Sequence, residues 1–178
     1  MPLTSAQQRQ LQELADYMRD HGLLLATAES CTAGMIASLL ADLPGAGQLL
    51  DCAFVTYSVS AKQRCLGIDP DVFSQNNLTS EPVARAMAEG AAHRTPANVI
   101  VANTGVADDG GRGVPPGTQC YAWLYRRDGD TPAIYTETRQ FPGDRSAVRR
   151  ASALYALSRV VHHHSGLSDD VSTPSGRP

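Results

Sequence analysis

One serine stands at the joint between two different apolar patterns. Leu23 to Ala28 is a short apolar run, while Met35, Ile36, Leu39 and Leu40 recur at helical spacing. The first reads as a buried strand and the second as one face of a helix. Between them lies Glu29-Ser30-Cys31-Thr32-Ala33-Gly34, so Ser30 sits where a strand turns into a helix. Free N–H groups at the start of that helix point back at the turn. A nucleophile placed there attacks a carbonyl while those groups hold the developing oxyanion. The plainer reading is that Ser30 or Thr32 only caps the helix, and the hexapeptide alone favours it because caps are common.

The pattern continues on both sides of this joint. Leu11, Leu14, Ala15 and Met18 mark the buried face of a first helix over 5–21, with Gly22 as its stop. After the turn and its helix comes a loop, Leu43-Pro44-Gly45-Ala46-Gly47. Cys52 to Tyr57 reads as a second strand and Ser60 to Leu66 as a short helix. Ser80 caps a further helix that buries Val83, Met87 and Ala91. Val99 to Ala102 is a short apolar strand, followed by a glycine-rich segment over 105–117. Cys120 to Tyr125 and Ala133 to Thr138 form a hairpin around Asp128-Gly129-Asp130. A last helix spans 144–161. Strands alternating with helices predict a single α/β domain, a three-layer α/β/α arrangement around a mixed, mostly parallel sheet. The domain is expected over 1–162. Residues 163–178, rich in Ser, Asp, Gly and Pro, are expected to be a disordered tail, with His162 to His164 at a solvated helix end.

Bulk properties exclude several classes. At 178 residues the chain can bury one sizeable core. A net charge of −3 offers no general attraction to nucleic acid. No apolar run is long enough to span a bilayer. The start, Met1-Pro2-Leu3-Thr4 followed by Gln/Arg-rich sequence, does not read as a signal peptide, so a cytoplasmic protein is expected. Cys31, Cys52, Cys65 and Cys120 lack zinc-ligand spacing, and no metal or other cofactor is expected. Cys52, Cys65 and Cys120 are expected in the core, whereas Cys31 adjoins the candidate nucleophile and is a second candidate for that role.

The second strand ends in Phe54-Val55-Thr56-Tyr57-Ser58, and Lys62 follows. Strand C-termini of such a sheet gather at one edge, which brings Ser30, Tyr57 and Lys62 within reach of one another. A desolvated lysine loses its proton near neutral pH and serves as general base for a serine. A tyrosine relays a proton or orients the lysine. Taken singly, Tyr57 is also an ordinary core-edge residue and Lys62 an ordinary surface charge.

These segments resemble the CinA C-terminal domain family, the nicotinamide mononucleotide deamidases. The resemblance is carried by Ala28 to Gly34 and by Phe54 to Ser58 with Ala61-Lys62 and Leu66-Gly67. It continues through Ser80-Glu81-Pro82-Val83-Ala84, Met87 to Gly90, Thr104-Gly105-Val106-Ala107 and Pro142-Gly143-Asp144-Arg145 with Val148-Arg149. It implies hydrolysis of the carboxamide of nicotinamide mononucleotide to nicotinic acid mononucleotide and ammonia, without a metal. It also implies Ser30, rather than Cys31, as nucleophile, with Tyr57 and Lys62 completing the machinery. Substrate contacts are expected from Glu29, Cys31, Thr32, Ala33, Gly34, Thr104, Gly105 and Arg145. The expected partner is a small-molecule nucleotide substrate, with no nucleic acid and no membrane, in a homo-oligomer. Larger family members carry an additional N-terminal domain, which a chain of this length is expected to lack.

Two positions depart from the family pattern. Ala33 replaces the motif's first glycine, and Asp108-Asp109 replaces a Gly-Pro after Thr104-Gly105-Val106-Ala107. Gly-rich loops approach phosphate through backbone N–H groups, and two aspartates oppose that use if they face the substrate. Changed substrate choice, and a non-catalytic nucleotide-binding relative, are the alternatives these departures support.

Overall fold

The computed structural model describes residues 3–108, 113–126 and 131–170. Five strands form one sheet in the order β2-β1-β3-β4-β5. They are β1 (Leu25–Glu29), β2 (Leu50–Val55), β3 (Val99–Gly105), β4 (Thr118–Tyr125) and β5 (Ala133–Gln140). β1 pairs in parallel with β2 and β3, whereas β4 runs antiparallel between β3 and β5. β5 therefore shares the direction of the first three strands, and only β4 opposes them. The sheet is mixed, as expected, with two parallel and two antiparallel ladders. The turn at Asp128-Gly129-Asp130 lies outside the described residues.

Strand alternation sorts the core into two layers. Leu25, Val99, Val101, Tyr121, Trp123 and Tyr125 face one side. They meet α1 (Ser5–Asp20), α2 (Met35–Ala41) and α6 (Arg145–Asp170). Ala26, Ala28, Ile100, Ala102 and Leu124 face the other, against α5 (Glu81–Ala92) and the end of α3 (Val59–Leu66). The small alanines of the second face let α5 approach closely. α4 (Pro70–Gln75) was not expected, although Asp69 accepting from the Asp71 N–H and Pro70 in the first turn form a recognisable helix start.

Three aromatic side chains of β4 set the position of α6. The Tyr121 hydroxyl bonds Ser152 Oγ at 2.7 Å, Trp123 Nε1 donates to Ala156 O at 2.9 Å, and the Tyr125 hydroxyl donates to Val160 O at 2.8 Å. The strand residues alternate by two and the helix partners by four, so one sheet face reads one helix face. Each buried polar tip thereby has a partner. This ladder aims the N-terminal turns of α6 over the end of β1.

The expected tail boundary needs correction. α6 continues to Asp170, because His163 and His164 pack instead of meeting solvent. His163 stacks on Tyr135 with ring centroids 4.6 Å apart, and His164 Nδ1 lies 2.9 Å from the Tyr17 hydroxyl. Burial, then the Arg159 charge, pulls the His163 pKa down to about 4. Residues 171–178 lie outside the described residues. Two cysteines also depart from expectation: Cys65 is exposed and Cys52 half-buried.

Candidate active site

Glu29 closes β1 and builds the turn that follows. Its carboxylate accepts from the N–H groups of Gly34 (2.8 Å), Ile36 (3.1 Å) and Ala37 (3.0 Å), and from Thr27 Oγ1 (3.0 Å). It thus satisfies the orphan donors at the start of α2, the task expected of Ser30 or Thr32. The N-cap residue is Gly34, left-handed at φ 89°, with no side-chain capping bond. Neither Ser30 nor Thr32 caps the helix, so the Ser30 hydroxyl is released from that duty.

The partner of Ser30 is Lys62. Lys62 Nζ lies 2.9 Å from Ser30 Oγ, 2.8 Å from Thr56 O and 3.5 Å from Tyr57 O. α3 starts immediately beyond β2, capped by Ser58 and stopped by left-handed Gly67, which turns Lys62 inward. Only 3% of Lys62 is exposed. Desolvation pulls its pKa down to about 8, since no carboxylate among the described residues compensates the charge.

The backbone N–H groups of the turn, on Cys31, Thr32, Ala33 and Gly34, are not equally available. The Thr32 N–H donates to Asn103 Oδ1, the Ala33 N–H to Ser30 O and the Gly34 N–H to Glu29. The Cys31 N–H has no acceptor among the described residues. Of the free N–H groups expected near the turn, one among Cys31 to Gly34 is left unspent among the described residues, on the residue directly after Ser30. Buried Cys31 is tied by Gln119 Nε2, which donates to its Sγ at 3.4 Å. Burial pushes the Cys31 thiol pKa up, against thiolate chemistry.

A cavity of about 340 Å³ opens at this edge, within the range of small-molecule sites. Ser30, Cys31, Tyr57, Lys62, Thr104 and Gly105 line it, six of the expected site residues. The remaining wall comes from Asn77 to Thr79, Val106 and Val114. Thr104 Oγ1 donates to Leu78 O at 2.9 Å and holds that wall to β3. Glu29, Thr32, Ala33, Gly34 and Arg145 do not line the cavity. The first four build the turn from behind, with Ala33 itself left-handed at φ 51°, which explains a glycine preference there.

Tyr57 and Arg145 meet at the cavity mouth. Tyr57 is 58% exposed. Arg145 Nη2 donates to its hydroxyl at 2.6 Å, and Arg145 Nη1 pairs with Asp108 at 2.9 Å. The Tyr57 hydroxyl thus engages Arg145, and it is the Tyr57 carbonyl that approaches Lys62. Asp144, a natural local partner for Arg145, instead accepts from the Ala147 N–H at the start of α6. Asp109 lies outside the described residues.

Three residues of the site have no role assigned from the sequence, although Arg149 falls in a segment that carries the resemblance. Arg149 donates from Nε to Cys31 O and from Nη2 to Thr32 O, both at 3.0 Å. Asn103 holds the Thr32 N–H, and Gln119 lies under Gly105, where a Cβ would stand 2.6 Å from its amide. Asn103 and Gln119 sit amid apolar strand residues, a pattern that hints at buried polar duty without naming the partner. Among the described residues no cluster of His, Cys, Asp or Glu could hold a metal ion, and no helix is long and apolar enough to cross a membrane.

An α/β/α protein with a buried serine–lysine pair at the carboxyl edge of its sheet is the class that fold and site define. The chain belongs to the CinA C-terminal domain family, whose model matches residues 7–163. A CinA-like protein of Mycolicibacterium paratuberculosis is 42% identical over 145 residues, which are 79% of this chain and 33% of that protein. The chain spans about a third of the length of such relatives. The nicotinamide-nucleotide amidohydrolase PncC of Pseudomonas putida is 38% identical over 83% of this chain and 91% of its own length. A CinA superfamily protein from Escherichia coli has a crystal structure that superposes with a TM-score of 0.82. It is 30% identical and is covered over 94% of its chain, with 92% of this chain aligned.

Proposed function

We propose that the protein hydrolyses the carboxamide of nicotinamide mononucleotide, releasing ammonia and nicotinic acid mononucleotide, with Ser30 as nucleophile. The observation that carries this reading is the 2.9 Å approach of buried Lys62 Nζ to Ser30 Oγ. The similarity to an amidohydrolase of nicotinamide nucleotides over nearly that protein's whole length supports the substrate class.

The chemistry follows from the contacts. Neutral Lys62 donates one N–H to Thr56 O, which leaves its lone pair free to take the Ser30 proton. Ser30 Oγ attacks the amide carbon. The Cys31 N–H, the unspent donor of the turn, receives the oxyanion. Protonated Lys62 then delivers the proton to the leaving ammonia. Water, deprotonated by the same amine, releases the acid from the acyl-enzyme.

The pairing of Arg145 with Asp108 favours a second reading, an amidase for a related amide without phosphate. A phosphate directed to Arg145 meets a carboxylate already there. Ammonia release from nicotinamide mononucleotide, nicotinamide riboside and nicotinamide, measured side by side, separates the two. The mononucleotide is expected to be the best substrate, and a preference for the riboside would overturn the first reading in favour of the second.

A further inference from the structure

The nucleophile turn is gripped from outside by a residue for which the reaction above has no use. Arg149 lies on α6, whose register is set by the aromatic ladder from β4. Its guanidinium makes a two-pronged bond to consecutive carbonyls, those of Cys31 and Thr32, both at 3.0 Å. The side chain is half-buried. It forms no ion pair with a carboxylate among the described residues. A partly desolvated cation without a counter-charge is unfavourable unless its donors are well placed.

The other ties on the turn leave a specific gap. Asn103 holds the Thr32 N–H, Ser30 O holds the Ala33 N–H, and Glu29 holds the Gly34 N–H. The Ala33 bond also holds the Ser30 carbonyl, the other end of the peptide that carries the Cys31 N–H, and the Thr32 carbonyl accepts from the Met35 N–H at 3.2 Å, but without Arg149 the Cys31 carbonyl has no partner among the described residues. The Cys31 carbonyl shares its peptide plane with the Thr32 N–H, so without Arg149 that plane is anchored at one end only, on Asn103, and tilts about that bond; the preceding plane, which carries the Cys31 N–H, joins it at the Cys31 Cα and follows the tilt. We infer that Arg149 is a positioning residue, whose fork on the Cys31 and Thr32 carbonyls holds the Cys31 N–H as the oxyanion donor for Ser30. A planar fork matches two adjacent carbonyl acceptors, whereas a lysine offers a single point of attachment. The inference rests on the reading of Ser30 as nucleophile and is independent of which amide is the substrate.

The test reads Ser30 reactivity without a natural substrate. A fluorophosphonate forms a bond from Ser30 Oγ to phosphorus, expels fluoride and passes the serine proton to Lys62. Its labelling rate, with the site located by mass spectrometry, reports the nucleophile and its oxyanion donor together. Arg149→Met is expected to slow labelling by roughly 10- to 100-fold, short of the roughly 100- to 1,000-fold for an oxyanion donor removed outright because the Cys31 N–H is displaced and not lost, while the control Arg150→Met labels at the unmodified rate. Arg149→Lys, which keeps the charge, is expected to fold and to label several-fold more slowly than arginine. Should Arg149→Met not fold, this variant decides the matter. In ammonia release, Arg149→Lys is expected to lower kcat with KM changed less than about twofold. Labelling of Arg149→Met or Arg149→Lys at the unmodified rate overturns the inference. Labelling of Ser30 without ammonia release from nicotinamide mononucleotide overturns only the substrate assignment. A Ser30 inert to the probe in the unmodified protein overturns the nucleophile and the positioning role alike.

Discussion

Lys62 and Ser30 stand 32 positions apart in the chain, yet Lys62 Nζ lies 2.9 Å from Ser30 Oγ. The lysine pKa is pulled down to about 8 by burial, and the neutral amine is the form that accepts a proton. kcat/KM is therefore expected to rise with pH and level off above a midpoint near 8. Lys62→Arg should abolish turnover, because a guanidinium stays charged in this range. A flat profile between pH 6 and pH 9, or an active Lys62→Arg, would remove the lysine from the role of base.

The same burial has a signature in stability. Below pH 8 the lysine is charged in both the folded and unfolded states, and the folded state carries the full desolvation penalty. Between about 8 and about 10.4 the folded state gives up its proton first, so stability rises with pH through that window. At about 1.36 kcal/mol per pKa unit the full effect is roughly 3 kcal/mol. Buried Cys31, Cys120, Tyr121 and Tyr125, whose pKa values are raised by burial, oppose it at the alkaline end. The clean measurement is thus the difference between the protein and Lys62→Met by denaturant unfolding. Lys62→Met is expected to be the more stable at pH 7 and to lose this advantage by pH 10.5.

Ser30→Ala removes one hydroxyl and is expected to lower turnover by at least roughly 1,000-fold with the fold intact. Cys31→Ala is expected to keep most activity, since the thiol is buried and turned toward Gln119. Steady-state ammonia release on both variants decides between them. A dead Cys31→Ala beside an active Ser30→Ala would reverse the assignment.

Ala33 holds φ 51°, a left-handed conformation that costs an L-residue roughly 1–2 kcal/mol. Ala33→Gly relieves that cost and gives back part of it as unfolded-chain entropy. A net gain of about 1 kcal/mol is expected, a rise in Tm of roughly 2–4 °C for a chain of this size. An unchanged or lower Tm would show that the Ala33 methyl group packs well enough to offset its strain.

Asp108→Asn leaves Arg145 without its carboxylate partner. If Arg145 receives the substrate phosphate, KM for the mononucleotide is expected to fall by roughly 2- to 5-fold, the scale of an exposed ion pair, with little change for the riboside. Arg145→Ala should raise KM for the mononucleotide selectively. Equal effects on both substrates would place the pair outside phosphate recognition.

Local pattern carried much of this protein on its own. The run at Leu23 to Ala28, the helical spacing from Met35 to Leu40, the cap at Ser80 and the hairpin strands are all written in residues a few positions apart. Side-chain period and capping chemistry are short-range properties, so one stretch of chain suffices to state them. The strand-end serine and the lysine after the next strand were legible for the same reason, given that strand C-termini of one sheet share an edge. The end of α6 was less so. Polar His163 and His164 look like a solvated tail until Trp123, Tyr17 and Tyr135 are brought beside them.

What only the tertiary structure decided is how each polar group is used. Glu29 reads as a contact for substrate, but parallel pairing and the close start of α2 turn it onto three backbone donors. Arg149 matches the family in sequence but has no role until the β4 ladder carries α6 across the turn. Asn103 and Gln119 fall among strand residues and gain meaning from partners distant in sequence. The physical reason is common to all of them. A hydrogen bond is directional and short, and its partner is chosen by packing between elements that no local window contains.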